Sequence, residues 1–392
     1  MALRPIAVKA PAKAPRARAL PKKKGARGVS PGRRPVPSSA GKLKRLVDVS
    51  QRMKGWQQPS AALTKIEAVP TIFPSLDRVI GIGGWPVSRI GVLHGPPHHG
   101  KSSLILGLLN SFLARGHWAA FLDAERTVDA GWAKTMLGEL QRSPSFFAKR
   151  PRSFEEAVDL VRVYCHTLQE ARRAGDAPED TRGILALDSL SKLVPQNLLA
   201  KLLEKGAEDA GVDGFSGASG RMIAALNSQW FKELTILLDE SKVSFVAIGR
   251  ERDNPEQKRG PFHRTWKLGG GKDVEFEASI LGRVTREFVK VGPKVVAQRH
   301  EVKIRKNKAG HLDEPVTAFF HTTERGFDLA RDLAELGLSL GVVRKEKVGK
   351  RNAYVTGDGE VIEAGDQEAL AGILRTDEKL RAAVERRCRE KE

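Results

Sequence analysis

Short apolar runs alternate with amphipathic segments through the middle of this chain. The runs lie at residues 89–95 (RIGVLHG), 117–125 (HWAAFLDAE), 183–190 (GILALDSL) and 242–250 (KVSFVAIGR). Short runs that are apolar at nearly every position are typical of strands buried on both faces of a sheet. The segments 101–116 and 222–240 instead carry apolar residues at helical spacing. This alternation predicts an α/β fold in which helices cover both faces of a mostly parallel sheet.

The flanking segments complete the predicted organisation. Residues 278–287 and 300–308 are expected to form further strands at the sheet edge, and residues 41–54 a short amphipathic helix with a basic face. Helical spacing at residues 329–341, 366–376 and 377–391 predicts a small C-terminal α/β domain. The chain is therefore expected to contain a tail at 1–40, a helix and linker with an oligomerisation role at 41–70, a core at 71–328 and a small domain at 329–392.

Positive charge is concentrated at the N-terminus. The net charge is +20, and residues 1–40 hold eleven Lys and Arg without any Asp or Glu, which leaves +9 for the remainder. This Ala- and Pro-rich segment has no hydrophobic period and is expected to be a disordered basic tail. It is either a solvated linker or a tail that contacts DNA phosphates non-specifically. Its prolines argue against a transit peptide, which needs an amphipathic helix.

The apolar runs and the cysteine content indicate the cellular compartment of the protein. No apolar run reaches the roughly 18 residues that span a bilayer, and a secretory signal is not expected. The two cysteines, Cys165 and Cys388, are too far apart in sequence to suggest a disulfide framework or a zinc cluster. We therefore expect a cytoplasmic protein that does not bind membranes.

A glycine-rich loop carries the first candidate chemistry. The loop follows a predicted strand, precedes a predicted helix, and matches the pattern G-x-x-x-x-G-K-[ST]. Its residues are Gly95, Pro96, Pro97, His98, His99, Gly100, Lys101, Ser102 and Ser103. Backbone N–H groups of such a loop surround phosphates, the Lys reaches the β and γ phosphates, and the Ser hydroxyl binds Mg²⁺. The loop predicts an ATP and Mg²⁺ site. His98 and His99 lack further ligands nearby in the sequence, so their backbone rather than a metal is expected to matter.

Two acidic residues are expected to join this loop. Asp188 ends an apolar strand beyond the loop and is the expected carboxylate on the Mg²⁺ side. Glu125 ends the strand after the loop helix, where a carboxylate can orient a water for attack on the γ-phosphate. Asp123 competes with Glu125 for that role.

These segments, in this order and spacing, resemble the RecA/UvsX recombinases from about Thr71 to near the C-terminus. The resemblance rests on PSLDRVIGIGGWPVSRIGVLHGPPHHGKSSL, AAFLDAERTVD and ILALDSL, and it also covers the small C-terminal domain. It implies a RecA-like P-loop ATPase core. It further implies that Glu125 is the catalytic glutamate, that Trp132 stacks on adenine, and that Asp129 lies near the base.

The sequence VKIRKNKAG extends the resemblance. It implies that Lys306 and Lys308 reach the ATP of a neighbouring protomer in a helical filament. Cations placed on a γ-phosphate from outside would stabilise transition-state charge as an arginine finger does. Without the resemblance, both lysines could simply be a solvated basic strand end.

The resemblance also implies two DNA-binding loops, near residues 205–220 and 250–271. The first is acidic, and Arg221 at its end is its better contact candidate. The second interleaves cations and aromatics, which suits single-stranded DNA. Its candidates are Arg252, Lys258, Arg259, Phe262, Arg264, Trp266 and Lys267. At over twenty residues, it is long for an ordinary solvated loop.

Several positions depart from the family pattern. Arg250 stands where the family has a glutamine that senses the γ-phosphate, and Glu275 and Glu277 make the following loop more acidic. The C-terminus lacks an acidic tail, and the basic N-terminal segment is additional. These departures put the link from ATP to the DNA loops in question.

The sequence thus predicts a DNA-dependent ATPase that forms filaments on single-stranded DNA and exchanges strands with double-stranded DNA in recombination, repair and the SOS response. Such a protein would associate with the nucleoid. Three alternatives stay open: a regulatory RecA paralogue without strand exchange, a hexameric RecA-fold motor, and a chromatin-like binder that depends on the basic tail.

Overall fold

The computed structural model describes residues 65–204, 217–253, 266–269, 272–310, 316–348, 351–357 and 359–391. All of them belong to the compact unit Lys65–Glu392. The predicted tail at 1–40 and the predicted helix at 41–54 lie outside these residues.

The strands alternate with helices along the chain, as their apolar runs predict. They are β1 (Ala68–Val69), β2 (Trp85–Pro86), β3 (Ile90–His94), β4 (Trp118–Asp123), β5 (Phe146–Lys149), β6 (Gly183–Asp188), β7 (Val243–Ile248), β8 (Glu251–Asp253), β9 (Trp266–Leu268), β10 (Ile280–Val291), β11 (Lys294–Asn307), β12 (Val316–Thr323), β13 (Gly326–Phe327), β14 (Val343–Val348), β15 (Arg351–Thr356) and β16 (Val361–Ile362).

The helices lie between and after these strands. They are α1 (Pro74–Ile80), α2 (Lys101–Leu113), α3 (Ala130–Leu137), α4 (Phe154–Ala174), α5 (Gln196–Glu204), α6 (Gly217–Ser241), α7 (Lys272–Glu277), α8 (Leu329–Ser339), α9 (Gln367–Thr376) and α10 (Glu378–Glu390). Short 3₁₀ turns occupy Gly138–Arg142 and Leu190–Lys192.

One nine-stranded sheet organises the core, in the order β13-β12-β11-β10-β3-β7-β6-β4-β5. The strands from β10 to β5 pair in parallel, and those from β10 to β13 pair antiparallel. This confirms the predicted α/β fold with a mostly parallel sheet. The prediction that β10 and β11 lie at the sheet edge was wrong, because β12 and β13 extend the sheet beyond them. Both strands are longer than predicted and form a hairpin that extends past their neighbours.

Successive residues of the central strands enter two different cores. In β6, Ile184 and Ala186 join one hydrophobic cluster, whereas Leu185 and Leu187 join the other. Because side chains alternate between the faces of a strand, a sheet covered on both faces needs apolar residues at every position. This explains the unbroken apolar runs. The first cluster packs under α1, α2 and α3, and the second under α4 and α6.

Helix α2 is buried along most of its length, which explains why its sequence is apolar on nearly all sides. A Cβ on Gly107 would lie 2.3 Å from the Phe73 ring, so a glycine is required where α2 crosses the segment before α1. Helix α6 begins at Gly217, five residues before its predicted start at 222. Its N-terminal turns carry Gly and Ser, so apolar spacing alone misses them.

The C-terminal segment has a hydrophobic cluster of its own, built from α8, α9, α10 and the sheet β14-β15-β16. None of the described helices combines the length and the apolar character that crossing a bilayer requires.

An ion pair fastens the last helix to the first helix of the core. Asp77 in α1 is buried and accepts hydrogen bonds from both the backbone N–H and the hydroxyl of Thr71. Arg389 in α10 donates to the same carboxylate at 2.5 Å and to the Thr71 carbonyl at 2.9 Å. Burial raises the pKa of Asp77 to about 6, although these hydrogen bonds oppose the rise.

Replacement Arg389→Ala should lower the free energy of unfolding by about 3–5 kcal/mol at pH 8, because it leaves a buried carboxylate without its counter-charge. The loss should shrink by pH 5, where Asp77 takes up a proton and no longer carries the unpaired charge. Urea unfolding at both pH values measures this. The matched control is Arg381→Ala on the same helix, whose pair with Glu378 is exposed, with an expected change within about 0.5 kcal/mol. An equal loss at both pH values would contradict the account.

Candidate functional site

The strands β3, β4, β6 and β7 run in parallel, so their carboxyl ends meet at one edge of the sheet. A cleft of about 1520 Å³ opens at this edge. Ligands of parallel α/β sheets bind outside such edges. Many residues predicted from the sequence line the cleft: Gly95, Pro96, Pro97, His98, His99, Gly100, Lys101, Ser102, Ser103, Glu125, Trp132, Asp188 and Arg250.

The loop between β3 and α2 depends on its two glycines. Gly95 has φ +143° and Gly100 has φ +90°, conformations that other residues rarely adopt. A Cβ on Gly95 would lie 2.2 Å from the carbonyl oxygen of Val284, and one on Gly100 would lie 2.3 Å from Nδ1 of His300. Helix α2 begins directly after the loop at Lys101, so its N-terminal N–H groups face the cleft. The loop is therefore shaped for an anion.

Lys101 lies across its own loop. Its Nζ donates to the carbonyl oxygens of Gly95 at 3.1 Å and Pro96 at 2.6 Å. Burial lowers the pKa of Lys101, and the nearby carboxylates of Asp188, Glu251 and Glu125 oppose the decrease. The loop thus places one partly desolvated cation where bound phosphate would lie.

Ser102 and Asp188 form the second part of the site. The Ser102 hydroxyl donates to Oδ2 of Asp188 at 2.6 Å. Burial raises the pKa of Asp188 to about 6, and the negative charges of Glu125 and Asp123 add to the rise. A buried carboxylate beside other carboxylates and a hydroxyl is an oxygen-only set that suits a hard divalent cation. These residues therefore fit Mg²⁺, with Ser102 and Asp188 as the ligands.

Glu125 and Asp123 have different surroundings. Asp123 is buried, and its carboxylate accepts from the Arg150 guanidinium at 3.2 Å and the Thr127 N–H at 3.2 Å. Glu125 lines the cleft, accepts from the Ser189 hydroxyl at 3.2 Å, and donates its N–H to the Asp188 carbonyl at 2.9 Å. Strand β4 ends at Asp123, so Glu125 lies two residues past the end of the strand rather than at its end as predicted. Of the two, Glu125 is the carboxylate that faces the cleft.

The expected base-binding residues are only partly brought together. Trp132 lies on the cleft wall. Asp129 caps helix α3, where its carboxylate accepts from the Trp132 N–H at 2.8 Å, and it is not among the residues that line the cleft. Asp129 therefore positions Trp132.

The histidines of the loop are more constrained than the sequence suggests. Nδ1 of His99 accepts from the Arg286 N–H at 3.0 Å, and the His99 carbonyl is 3.0 Å from Nδ1 of His300. The other ring nitrogen of His300 lies 2.8 Å from the Thr322 hydroxyl. Burial lowers the pKa of His300 to about 4, so it is neutral and donates to that carbonyl. The side chain of His99 thus helps to hold the loop, which sequence reasoning missed.

Lys306 and Lys308 lie away from the cleft of their own chain, at the end of β11. Lys306 donates to the carbonyls of Glu275 and Phe276 at 2.8 and 2.6 Å, and Lys308 to that of Phe276 at 3.0 Å. Both cations also lie over the Phe276 ring, at 5.6 and 5.4 Å from its centre. Burial and the neighbouring Lys308 lower the pKa of Lys306 to about 8. Phe276 is 70% exposed. Phe276, Lys306 and Lys308 therefore form one surface knob that combines an apolar ring with two positive charges.

The predicted DNA-binding residues lie in three settings. Arg221 is exposed on α6. Arg252, Trp266 and Lys267 belong to the β8–β9 hairpin, where Arg252 lies opposite Lys267 in the backbone register of the two antiparallel strands. Lys258, Arg259, Phe262 and Arg264 lie outside the described residues, as does most of the predicted first loop.

Arg250 is exposed and lines the cleft, and its carbonyl accepts from the Gly269 N–H at 2.7 Å.

The sequence reasoning also missed an ionic cluster beside the loop, formed by His94, Glu251 and Arg283. Of these residues, Glu251 and Arg283 line the cleft. Their meeting depends on the register of β3 against β10, in which His94 pairs with Arg283. The one available sequence signal was the position of His94, directly before Gly95.

Comparison with known proteins relates the chain to one family. Residues 57–316 match the model of the RecA N-terminal domain. The chain is 28% identical over 327 residues to Protein RecA of Mycobacterium avium strain 104, which covers 83% of each chain. It is 29% identical over 329 residues to Protein RecA of Saccharopolyspora erythraea, which covers 83% of this chain and 84% of that protein. It is 28% identical over 333 residues to Protein RecA of Frankia alni, with the same coverage.

Replacement Asp188→Asn should weaken binding of ATP with Mg²⁺, and the advantage of the wild type should shrink by up to about tenfold from pH 8 to pH 5. The carboxylate must be ionised to bind the cation, and its pKa is about 6, so only about a tenth remains ionised at pH 5. Calorimetric titration of both proteins from pH 8 to pH 5 measures the ratio of the wild-type affinity for ATP with Mg²⁺ to that of the variant. Protonation of ATP itself affects both affinities equally, so it cancels in this ratio. A ratio that stays constant over this range would contradict the assignment.

Proposed function

Because this chain belongs to the RecA family, we propose that it is a DNA-dependent ATPase that assembles into filaments on single-stranded DNA and acts as a recombinase. The observation that carries this proposal is the cleft that unites Lys101, Ser102, Asp188 and Glu125 at the carboxyl ends of parallel strands. In this proposal, hydrolysis of ATP to ADP and phosphate loosens the filament.

The cleft residues divide the work of hydrolysis. The loop N–H groups and Lys101 bind the β and γ phosphates and offset their charge. Ser102 and Asp188 would hold Mg²⁺, which would supply charge stabilisation on the phosphate oxygens. Glu125 orients the attacking water as general base, because its carboxylate lines the cleft, whereas that of Asp123 is buried and bonded to Arg150. Trp132 stacks on the base, and Arg250 contacts the terminal phosphate.

Filament assembly is supported by the knob of Phe276, Lys306 and Lys308. An aromatic side chain that is 70% exposed and flanked by two cations offers apolar and charged contacts that suit another protein. A neighbouring cleft with bound triphosphate offers the negative charge that both lysines need. The two lysines then act on the ATP of the neighbour, where they stabilise the transition state.

DNA binding is assigned to the segments around Arg221 and the β8–β9 hairpin. Cations there contact phosphates and aromatics stack on bases, which favours single strands, and a second, double-stranded DNA is the partner for strand exchange. The proposal keeps four parts: a basic tail at 1–40, an oligomerisation segment at 41–70, an ATPase core at 71–328 and a small domain at 329–392. It also places the protein in the cytoplasm with the nucleoid.

One observation favours a second function, that of a regulatory paralogue without strand exchange. Arg250 brings a full positive charge to the cleft position where the family pattern has a neutral glutamine. A cation that pairs with ATP regardless of the state of the DNA would separate nucleotide binding from strand exchange. Such a paralogue would bind ATP and DNA without forming joint molecules.

Replacement Lys101→Ala should abolish ATP hydrolysis stimulated by single-stranded DNA, with a loss of about 10²-fold or more, because it removes a cation that stabilises the transferring phosphate. Phosphate release with and without single-stranded DNA measures this. Lys232→Ala, an exposed lysine on α6, is the control and should behave as the wild type. ATP binding without DNA-stimulated turnover in the wild type would instead favour the regulatory paralogue.

Replacement of Lys306 and Lys308 together by Ala should leave ATP binding intact but reduce turnover on single-stranded DNA by about 10³-fold, as loss of a cation supplied in trans does. Phe276→Ala should weaken assembly, seen as a smaller particle by light scattering with DNA and a slowly hydrolysed ATP analogue. The control is Phe288→Ala, which removes an exposed aromatic outside the knob. Turnover that stays normal in the double lysine variant would refute the role in trans.

A further inference from the structure

An ionic cluster lies directly beside the phosphate loop and joins three separate strands. His94 is the last residue of β3, Glu251 is the first of β8, and Arg283 belongs to β10. Oε1 of Glu251 accepts from Nδ1 of His94 at 2.8 Å and from Nε of Arg283 at 2.7 Å. Its Oε2 accepts from the second Arg283 nitrogen at 3.3 Å. One carboxylate therefore ties two neighbouring strands to the segment that follows β7.

The charges of this cluster are well defined. Burial alone would raise the pKa of Glu251, but the hydrogen bonds from His94 and Arg283 hold it at about 2. Burial lowers the pKa of His94, whose side chain is fully buried. At neutral pH, an ionised Glu251 thus accepts from a neutral histidine and a charged arginine. The exposed fractions are 13% for Glu251 and 27% for Arg283, so both partners reach the cleft surface.

The cluster lies at the base of the β8–β9 hairpin. The Gly249 N–H donates to the Leu93 carbonyl of β3 at 2.8 Å, and the Gly269 N–H donates to the Arg250 carbonyl at 2.7 Å. Gly249 therefore lies beside the end of β3, and Gly269 returns to the residue that follows Gly249. The side chain of Leu268 fills the space that a Cβ on Gly249 would occupy. The hairpin therefore joins the core at its two adjacent ends. There the Glu251 carboxylate bonds it to His94 and Arg283 of the sheet.

We propose that Glu251 is a positioning residue that sets the orientation of the β8–β9 hairpin according to the nucleotide in the cleft, through its shared partner Arg283. This inference rests on the proposed function, in which that hairpin carries DNA-binding residues. A nucleotide can shift a conformation only through an interaction that differs between two states. Arg283 provides this difference, because it lines the cleft and can pair either with Glu251 or with an arriving phosphate.

The test is Glu251→Gln, which preserves the shape and the acceptor oxygen but removes the charge that competes for Arg283. Hydrogen exchange of residues 251–253 and 266–269 is measured with and without a non-hydrolysable ATP analogue. The analogue should slow exchange in the wild type. In the variant, the exchange rates with and without the analogue should differ by less than about twofold. DNA affinity is measured in parallel, with the analogue and with ADP. Allosteric coupling typically changes an affinity by about 5–150-fold. The ratio of DNA affinity with the analogue to that with ADP should therefore exceed about fivefold in the wild type and fall below about twofold in the variant.

Two controls separate positioning from general damage. Glu233→Gln breaks a pair of similar geometry, since Glu233 accepts from Arg162 at 2.7 and 2.9 Å, but it lies on the outer helices and does not line the cleft. It should keep the wild-type ratios. Arg283→Lys retains the positive charge but loses the second donor nitrogen. It should give a ratio of DNA affinities between those of the wild type and Glu251→Gln. It also tests the inference if Glu251→Gln fails to fold.

The outcomes distinguish this inference from the proposed function. DNA-stimulated hydrolysis in the wild type, with unchanged exchange and affinity ratios in Glu251→Gln, would overturn the inference and leave the function standing. A nucleotide effect on exchange that Glu251→Gln abolishes would support positioning even if DNA stimulated no hydrolysis, in which case the proposed function alone would fail. A wild type whose hairpin shows no response to the analogue would overturn the inference.

Discussion

The parallel pairing of β3, β4, β6 and β7 is the constraint on which the rest of this molecule depends. Parallel strands must all end at the same edge, so residues far apart in the sequence reach one cleft. Lys101 follows the first of these strands, Glu125 the second, and Asp188 ends the third. The two hydrophobic clusters that cover the sheet fix this edge, because the apolar residues of the central strands pack on one face or the other.

The same edge connects the cleft to the surface proposed for DNA, and β10 and β11 connect it to the surface proposed for a neighbouring protomer at the opposite edge. Strand β7 leads from the cleft through Arg250 and Glu251 into the β8–β9 hairpin. Strand β10 pairs with the loop strand at Arg283, and its hairpin partner β11 ends at the knob around Phe276. Nucleotide and DNA would therefore act at the carboxyl edge of the parallel strands, whereas the neighbour would contact the knob at the opposite edge, where β10 begins beside Ile90. A cleft and a knob on opposite edges allow the knob of one protomer to meet the cleft of the next, as a filament driven by ATP requires.

The fold was largely predictable, because apolar runs and helical spacing are local properties of the sequence. The loop residues, Ser102 and Asp188 were also predictable, since their chemistry demands those residue types at that spacing. The roles of His99, Asp129 and the Glu251 cluster were not, because they depend on which residues meet across strands. His300 and Arg286, for example, contact the loop only through the register of β10 and β11. The β8–β9 hairpin was missed because Gly, Pro and charged residues there lack a strand period.

The central claim is that ATP is shared between two protomers of a filament. Electron cryomicroscopy of the full chain on single-stranded DNA, with a slowly hydrolysed ATP analogue, tests it most directly. The account predicts a helical filament in which the nucleotide lies between the Lys101 loop of one protomer and the Lys306–Lys308 pair of the next. Closed rings, or a filament whose nucleotide lies away from that lysine pair, would contradict it.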